Sequence, residues 1–311
     1  MPIFSIIVTC YNRIQYLEEA LDAVLDQTVS SFEVIVVDDG SDTNAAETIS
    51  TLCKKDDRIV LIKNSTNTGV SSARNKALAN AKGEFISFLD DDDQLAPTFL
   101  QLALDSFKQQ PNIDVALCQS SVDSKSEKSF FRYHTLKETL RSQPLKRTYE
   151  TSHASLLYQF PPQINAMVFR KRIFQDHQFD TSLKIGEDIY LWFKLLAAGI
   201  QFGKKQSNQP HALIRVHGDV QLSATDNQQV LDFQHRLKAD FHFPDPSLET
   251  LIDFKLFMRF ALVGNLKRAL QMLLQSMKHP GYFLRIASSQ GWLKFRILIS
   301  YTLYKIMKID W

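Results

Sequence analysis

The sequence has no glycine-rich phosphate loop. No Gly-x-Gly-x-x-Gly and no Gly-Lys-Ser/Thr occurs in its 311 residues, which argues against dinucleotide-binding and P-loop enzymes. No apolar run approaches the length of a membrane span. The three cysteines, Cys10, Cys53 and Cys118, are scattered, with neither metal-site spacing nor a disulfide framework, as expected of a reducing compartment. The chain enters a strand pattern at once, without a basic leader, so no secretory signal is expected. A formal net charge of +2 leaves no global electrostatic case for nucleic acid.

What remains is an ordinary globular composition, 44% hydrophobic and 23% charged, enough for one large domain with an appendage or for two domains. Short β-branched runs alternate with helical periodicity. Strands are expected at Phe4–Cys10, Glu33–Asp38, Ile59–Ile62, Phe85–Leu89, Asp114–Cys118, Ala166–Phe169 and His211–Val216. Leu17, Ala20, Leu21, Val24 and Leu25 recur at helical spacing, as do Ala73, Ala77, Leu78 and Ala81. Glu187 to Ala198 carries Ile189, Trp192, Phe193 and Leu196 on one face. Strand and helix in alternation imply an α/β fold with a mainly parallel sheet and helices on both faces. The signal weakens from Ser120 to Pro162, where Ser121–Ser129 reads as an exposed loop. Beyond about Leu222 the pattern is helical. The expected division is therefore a domain over 1–222, with halves at about 1–118 and 119–222, and a helical region over 223–311.

The most informative stretch is Phe85-Ile86-Ser87-Phe88-Leu89 followed by Asp90, Asp91, Asp92 and Asp93. Adjacent carboxylates at the end of a buried strand repel, and a divalent cation with its preference for hard oxygen would offset that repulsion. A solvated acidic turn capping a helix is the plainer alternative. Position favours a metal, because ligands of open α/β sheets bind at the strands' C-terminal ends. Asp38-Asp39 also follows a strand, and Thr9 and Tyr11 lie at the end of the first, so all should share one rim. Glu187-Asp188 and Asp219 supply further acids at the ends of ordered elements.

Ser5–Asn12, Val36–Asp42, Asn67–Asn75 and Phe88–Asp93 together resemble the family 2 glycosyltransferases of GT-A fold, and Gly186–Trp192 resembles that family's downstream Glu-Asp motif. The resemblance covers roughly the first two-thirds of the chain. It implies a metal-dependent, inverting transfer from a nucleoside-diphosphate sugar. Asp39 would accept a hydrogen bond from the nucleotide base, with Thr9 and Tyr11 around it; uridine and thymidine would both suit. Asp90 would lean on the ribose and Asp92 on Mn²⁺ or Mg²⁺. Asp188 would be the general base. Asp91 is grouped with the donor-binding residues, but the parts of Asp91 and Asp93 stay open, since the family usually has a small residue where Asp91 stands and metal contact could slip by one.

In the same pattern Arg74 and Asn75 lie near the donor diphosphate, and His217 near the metal; a solvated helix and a structural histidine are the alternatives. Asp38 or Asp39 could instead make an Asx-turn with Gly40. Glu187 and Asp188 could serve only the helix dipole. Trp192 and Phe193 read as core. The implied acceptor is a glycan or lipid-linked glycan of cell-surface polysaccharide synthesis. A processive synthase is not expected, since no Gln-x-x-Arg-Trp motif occurs. A non-catalytic nucleotide-sugar-binding scaffold is the alternative from another class.

From Glu249 to Trp311 ten Lys/Arg face three Asp/Glu. Phe295, Ile299, Leu303 and Ile306 form an apolar stripe among Lys294, Arg296, Lys305 and Lys308. Such a basic amphipathic tail suits an anionic membrane surface, or packing as a helical subdomain. The expected location is cytoplasmic, with peripheral attachment to the inner face of the cytoplasmic membrane.

Overall fold

The computed structural model describes residues 1–122, 163–203, 209–215, 227–241, 252–253 and 266–278. Its described residues through Arg215 belong to one compact unit and those from Asn227 onward to a second.

The first unit is built on a six-stranded sheet. Its strands are β1 (Phe4–Cys10), β2 (Phe32–Asp38), β3 (Ile59–Lys63), β4 (Phe85–Asp90), β6 (Val115–Leu117) and β8 (Met167–Arg170), in the order β3-β2-β1-β4-β8-β6. β1 pairs in parallel with β2 and β4, and β2 with β3, whereas β8 runs antiparallel to both β4 and β6. The mainly parallel α/β sheet is thus as the residue pattern implies. The register sets Thr9 opposite both Val37 and Asp90, so the C-terminal ends of β1, β2 and β4 are level.

Both faces of the sheet are buried, and the strands' period of two sorts their side chains between them. Ile6, Val8, Val34, Val36, Phe85 and Leu89 pack with α1 (Ile14–Leu25), α2 (Thr43–Cys53) and α4 (Phe99–Gln109). Ile7, Ile35, Val37, Ile86 and Phe88 pack with α3 (Val70–Asn80) and α5 (Glu187–Ala197) on the opposite face. Trp192 and Phe193 are core, as read from their spacing. Phe88 lies edge-on to Phe169, Phe174 and Phe179, with centroids 5.2–5.9 Å apart.

A second sheet of three short strands has the order β5-β9-β7: β5 (Gln94–Leu95), β7 (Gln119–Val122) and β9 (Pro210–Ile214). This corrects the reading of an exposed loop at its start: Ser120 is buried and Ser121 and Val122 pair with Leu213 and Ile214. Gln-Ser-Ser-Val has no apolar alternation, and only pairing with β9 makes it a strand. The rest of the expected Ser121–Ser129 loop lies outside the described residues.

In the second unit the described helices are α6 (Asn227–Asp240) and α7 (Leu266–Ser276). The tail stripe of Phe295, Ile299, Leu303 and Ile306, with its lysines and Arg296, lies outside the described residues. Among the described residues no helix is long and apolar enough to cross a membrane.

Candidate active site

The rim of the sheet is assembled from the turns that follow its parallel strands and from the loop that enters α5. After β1, Asn12 takes a left-handed backbone (φ 58°), and its amide donates to Ser41 Oγ at 3.0 Å. Asn12 Oδ1 in return accepts from the Asp42 amide at 2.9 Å, stitching the turns after β1 and β2 together. Asp38 Oδ1 accepts from the Ser41 amide, three residues on, at 3.0 Å and braces the turn after β2. Asp42 caps α2 by accepting from the Ala45 amide at 3.0 Å.

Asp39 is buried and does something different. Its Oδ1 accepts from Asn64 Nδ2 (2.7 Å), the Thr68 amide (3.0 Å) and Thr68 Oγ1 (2.7 Å). Its Oδ2 accepts from the Gly69 amide at 2.8 Å. The carboxylate therefore sits at the amino end of α3, where orphan amides and the helix dipole favour an anion. Thr9 is half-buried beside it on β1, and Tyr11 is exposed at 46%.

The aspartate run closes a turn, with the Asp93 amide donating to the Asp90 carbonyl at 3.1 Å. This turn divides the four side chains. Asp90, Asp92 and Asp93 bring one carboxylate oxygen each within 4.8 Å of one another. Asp91 turns inward, 1% exposed, where Arg13 Nη2 donates to its Oδ1; its Oδ2 is buried without a hydrogen-bond partner. Asp91, grouped with the donor-binding residues from sequence, thus points away from the trio and into the interior beside Arg13. Burial pushes its carboxyl up to about 7 against the pull of Arg13.

Asp93 is held by Asn165 Nδ2 (2.7 Å, to Oδ2) and the Arg215 amide (2.9 Å, to Oδ1). Burial, then the charges of Asp90 and Asp92, raise its carboxyl well above the ordinary range. The trio is an all-oxygen donor set whose mutual repulsion favours a cation, and it fits a hard divalent ion.

A further loop leads into α5. Gly186 is left-handed (φ 74°), and Glu187 and Asp188 open the helix. Arg74, buried on α3, donates from Nη1 to Glu187 Oε1 and from Nη2 to Asp90 Oδ1, both at 2.9 Å. Its guanidinium carbon lies 5.4 Å from the Phe179 ring, the same ring that packs on Phe88. Arg74 is therefore tied between two acidic motifs. Asn75 exchanges hydrogen bonds with the Phe179 backbone at 2.9 and 3.0 Å, which holds that ring in place. Asp188 accepts from the Ile189 amide at 2.7 Å. Burial, then the neighbouring Glu187, pushes its carboxyl up to about 7 despite Arg74. A helix amino end alone would lower that value, so desolvation dominates.

His217 and Asp219 lie outside the described residues. Arg13, Asn165 and Arg215 are site residues that pattern reading does not single out. Each is identified by a partner distant in sequence, a signal absent from local spacing.

Comparison with known proteins agrees with this architecture. An uncharacterized glycosyltransferase of Haemophilus influenzae is 25% identical over 232 residues, 73% of this chain and 70% of that protein. EpsJ of Bacillus subtilis, an uncharacterized glycosyltransferase, is 29% identical, over 60% of this chain and 54% of its own. In a longer Rickettsia felis relative, 27% identical over 61% of this chain, the match spans only 30% of the protein. Among solved structures, S. aureus TarS 1-349 in complex with UDP-GlcNAc superposes with a TM-score of 0.63 at 21% identity, covering 89% of this chain and 81% of that one. The mannosyltransferase PcManGT of Pyrobaculum calidifontis, in complex with GDP-Man and Mn²⁺, gives 0.59 at 16%, covering 98% and 86%. These structural likenesses establish the GT-A fold. The model of glycosyl transferase family 2 matches residues 5–176, more than half of the sequence, and the chain belongs to that family.

Proposed function

We propose that this protein is a metal-dependent, inverting glycosyltransferase that moves a sugar from a nucleoside-diphosphate sugar to a hydroxyl of a glycan or lipid-linked glycan. One observation carries the reading: Arg74 joins Asp90 of the acidic trio to Glu187, the immediate neighbour of Asp188. A cation-type donor site and a carboxylate with a pKa near neutrality thereby meet at the C-terminal edge of one sheet.

In this reading Asp90, Asp92 and Asp93 hold Mn²⁺ or Mg²⁺, which when bound disperses the charge growing on the diphosphate leaving group. Thr9, Tyr11 and Asp39 surround the nucleotide base. Asp39 contributes through the 64–69 loop that it holds in place, and its Oδ2, with one accepted bond, is the oxygen left to face a base. Arg74 keeps Asp90 in place below the ribose rather than reaching the diphosphate itself. Asp188 takes the proton of the acceptor hydroxyl as that oxygen bonds to the anomeric carbon. The bond from that carbon to the diphosphate oxygen breaks on the opposite side, so the configuration inverts.

Uridine or thymidine diphosphate sugars are favoured as donors, supported by the UDP-GlcNAc bound to TarS. The acceptor belongs to cell-surface polysaccharide synthesis, met at the inner face of the cytoplasmic membrane. The basic surplus of residues 249–311 supports that location. The test is a thermal-shift and turnover screen of nucleotide sugars with Mn²⁺. Stabilisation and transfer with one donor are expected; neither with any donor overturns the reading.

A further inference from the structure

Arg13 lies in the turn between β1 and α1, at the residue just before that helix, and has no part in the steps above. Its Nη1 donates to Asp92 Oδ2 at 2.7 Å, and its Nη2 donates to Asp91 Oδ1. Its fork thus grips two successive aspartates that the turn sends in different directions. Asp92 belongs to the trio whose oxygens converge, while Asp91 is buried, its second oxygen without a hydrogen-bond partner. A guanidinium keeps its charge throughout the working pH range, so this cation is permanent. Asp91 anchors it there, because leaving would strand a carboxylate in the interior.

We propose that Arg13 is the resident counter-cation of the acidic turn, against which a divalent ion must compete at Asp92, so that Arg13 sets the metal affinity of the donor site. The inference rests on the reading of Asp90, Asp92 and Asp93 as the metal ligands. The physics is direct. Arg13 already draws on an oxygen of Asp92, and its positive charge stands beside the place an incoming cation would take. Its presence lowers the repulsion among the carboxylates before metal arrives, which stabilises the metal-free protein and weakens the metal-bound one in relative terms. Arg13 is in this sense a positioning residue, acting on the site through Asp92.

The experiment measures metal binding alone, with no donor and no turnover. Mn²⁺ is titrated into the full chain and free Mn²⁺ is followed by its electron paramagnetic resonance signal. Arg13→Met, which removes the charge and keeps bulk, is expected to bind Mn²⁺ about tenfold tighter than wild type, the scale of one charge interaction at a partly exposed site. Arg13→Lys keeps the charge and should stay within about threefold of wild type. Should Arg13→Met fail to fold because Asp91 loses its counter-charge, the comparison moves to Asp91→Asn with and without Arg13→Met, where the same tightening is expected.

Unchanged or weaker binding on removal of Arg13 in both backgrounds overturns the proposal while leaving the metal site standing. A fall in melting temperature without tighter binding does so too, by leaving Arg13 a structural role only. If wild type and every variant ignore Mn²⁺ at millimolar concentration, the metal reading itself fails and this proposal falls with it.

Discussion

Arg74 and Glu187 stand 113 positions apart in the chain and meet through a 2.9 Å hydrogen bond between guanidinium and carboxylate. The bond links α3, packed on one face of the sheet, to the first turn of α5 on that same face. Through its second nitrogen Arg74 also holds Asp90, so the geometry of three motifs depends on one buried cation.

Replacing Arg74 by Met should therefore cost about 3 kcal/mol of stability, the low end for removing one partner of a buried ion pair, because Asp90 remains 38% exposed to water. Urea denaturation reads this loss. Transfer should fall further than stability explains, since Asp90 and Glu187 would both be released.

Removal of the proposed base and of the proposed metal ligand should separate in their effects. Asp188→Asn is expected to lower kcat by about 10²–10⁴ with nucleotide affinity retained, the range for loss of a positioned base. Asp92→Asn should instead abolish the response to Mn²⁺ in both donor binding and turnover. Steady-state kinetics with calorimetry of nucleotide binding distinguishes the two.

The pH profile follows from Asp188. Its carboxyl is raised to about 7, and only the ionised form can accept a proton, so kcat/KM should rise with pH and level off above neutrality. The charge of a bound cation beside Asp90 would favour the ionised form, so the acid limb should shift to lower pH as Mn²⁺ is raised toward saturation. A limb insensitive to Mn²⁺ would detach Asp188 from the metal site.

Gly40 offers a test of the nucleotide side. Its φ is +79°, and a Cβ there would lie 2.3 Å from the Thr66 carbonyl carbon and 2.6 Å from the Asn67 amide nitrogen. Gly40→Ala should destabilise by more than about 1 kcal/mol, because the strained backbone is joined by a collision with main chain. Residues 64–69 would have to move, and with them the amides that hold Asp39. Weaker nucleotide binding should accompany the lower melting temperature.

Much of this protein follows from local pattern. A strand with period two and both faces apolar announces burial from either side, and helices between such strands require parallel crossovers. Parallel strands end on one rim, so Thr9, Asp39 and Asp90 had to be neighbours wherever the chain went next. β5 and β7 escaped such reading because a lone Gln-Leu pair, or Gln-Ser-Ser-Val, becomes strand only when β9 lies alongside.

The roles within the site were decided by tertiary structure. Four identical aspartates in succession are indistinguishable as letters. The hydrogen bond from the Asp93 amide to the Asp90 carbonyl turns three of them toward one another and sends Asp91 to Arg13. Arg74, equally at home as a solvated helix residue or a diphosphate ligand in one dimension, is drawn inward by Asp90 and Glu187, since a buried cation persists only where carboxylates surround it. Sequence spacing determines which side chains share a rim. Which charges neutralise one another there depends on partners brought from across the chain, and that choice is made only when the fold closes.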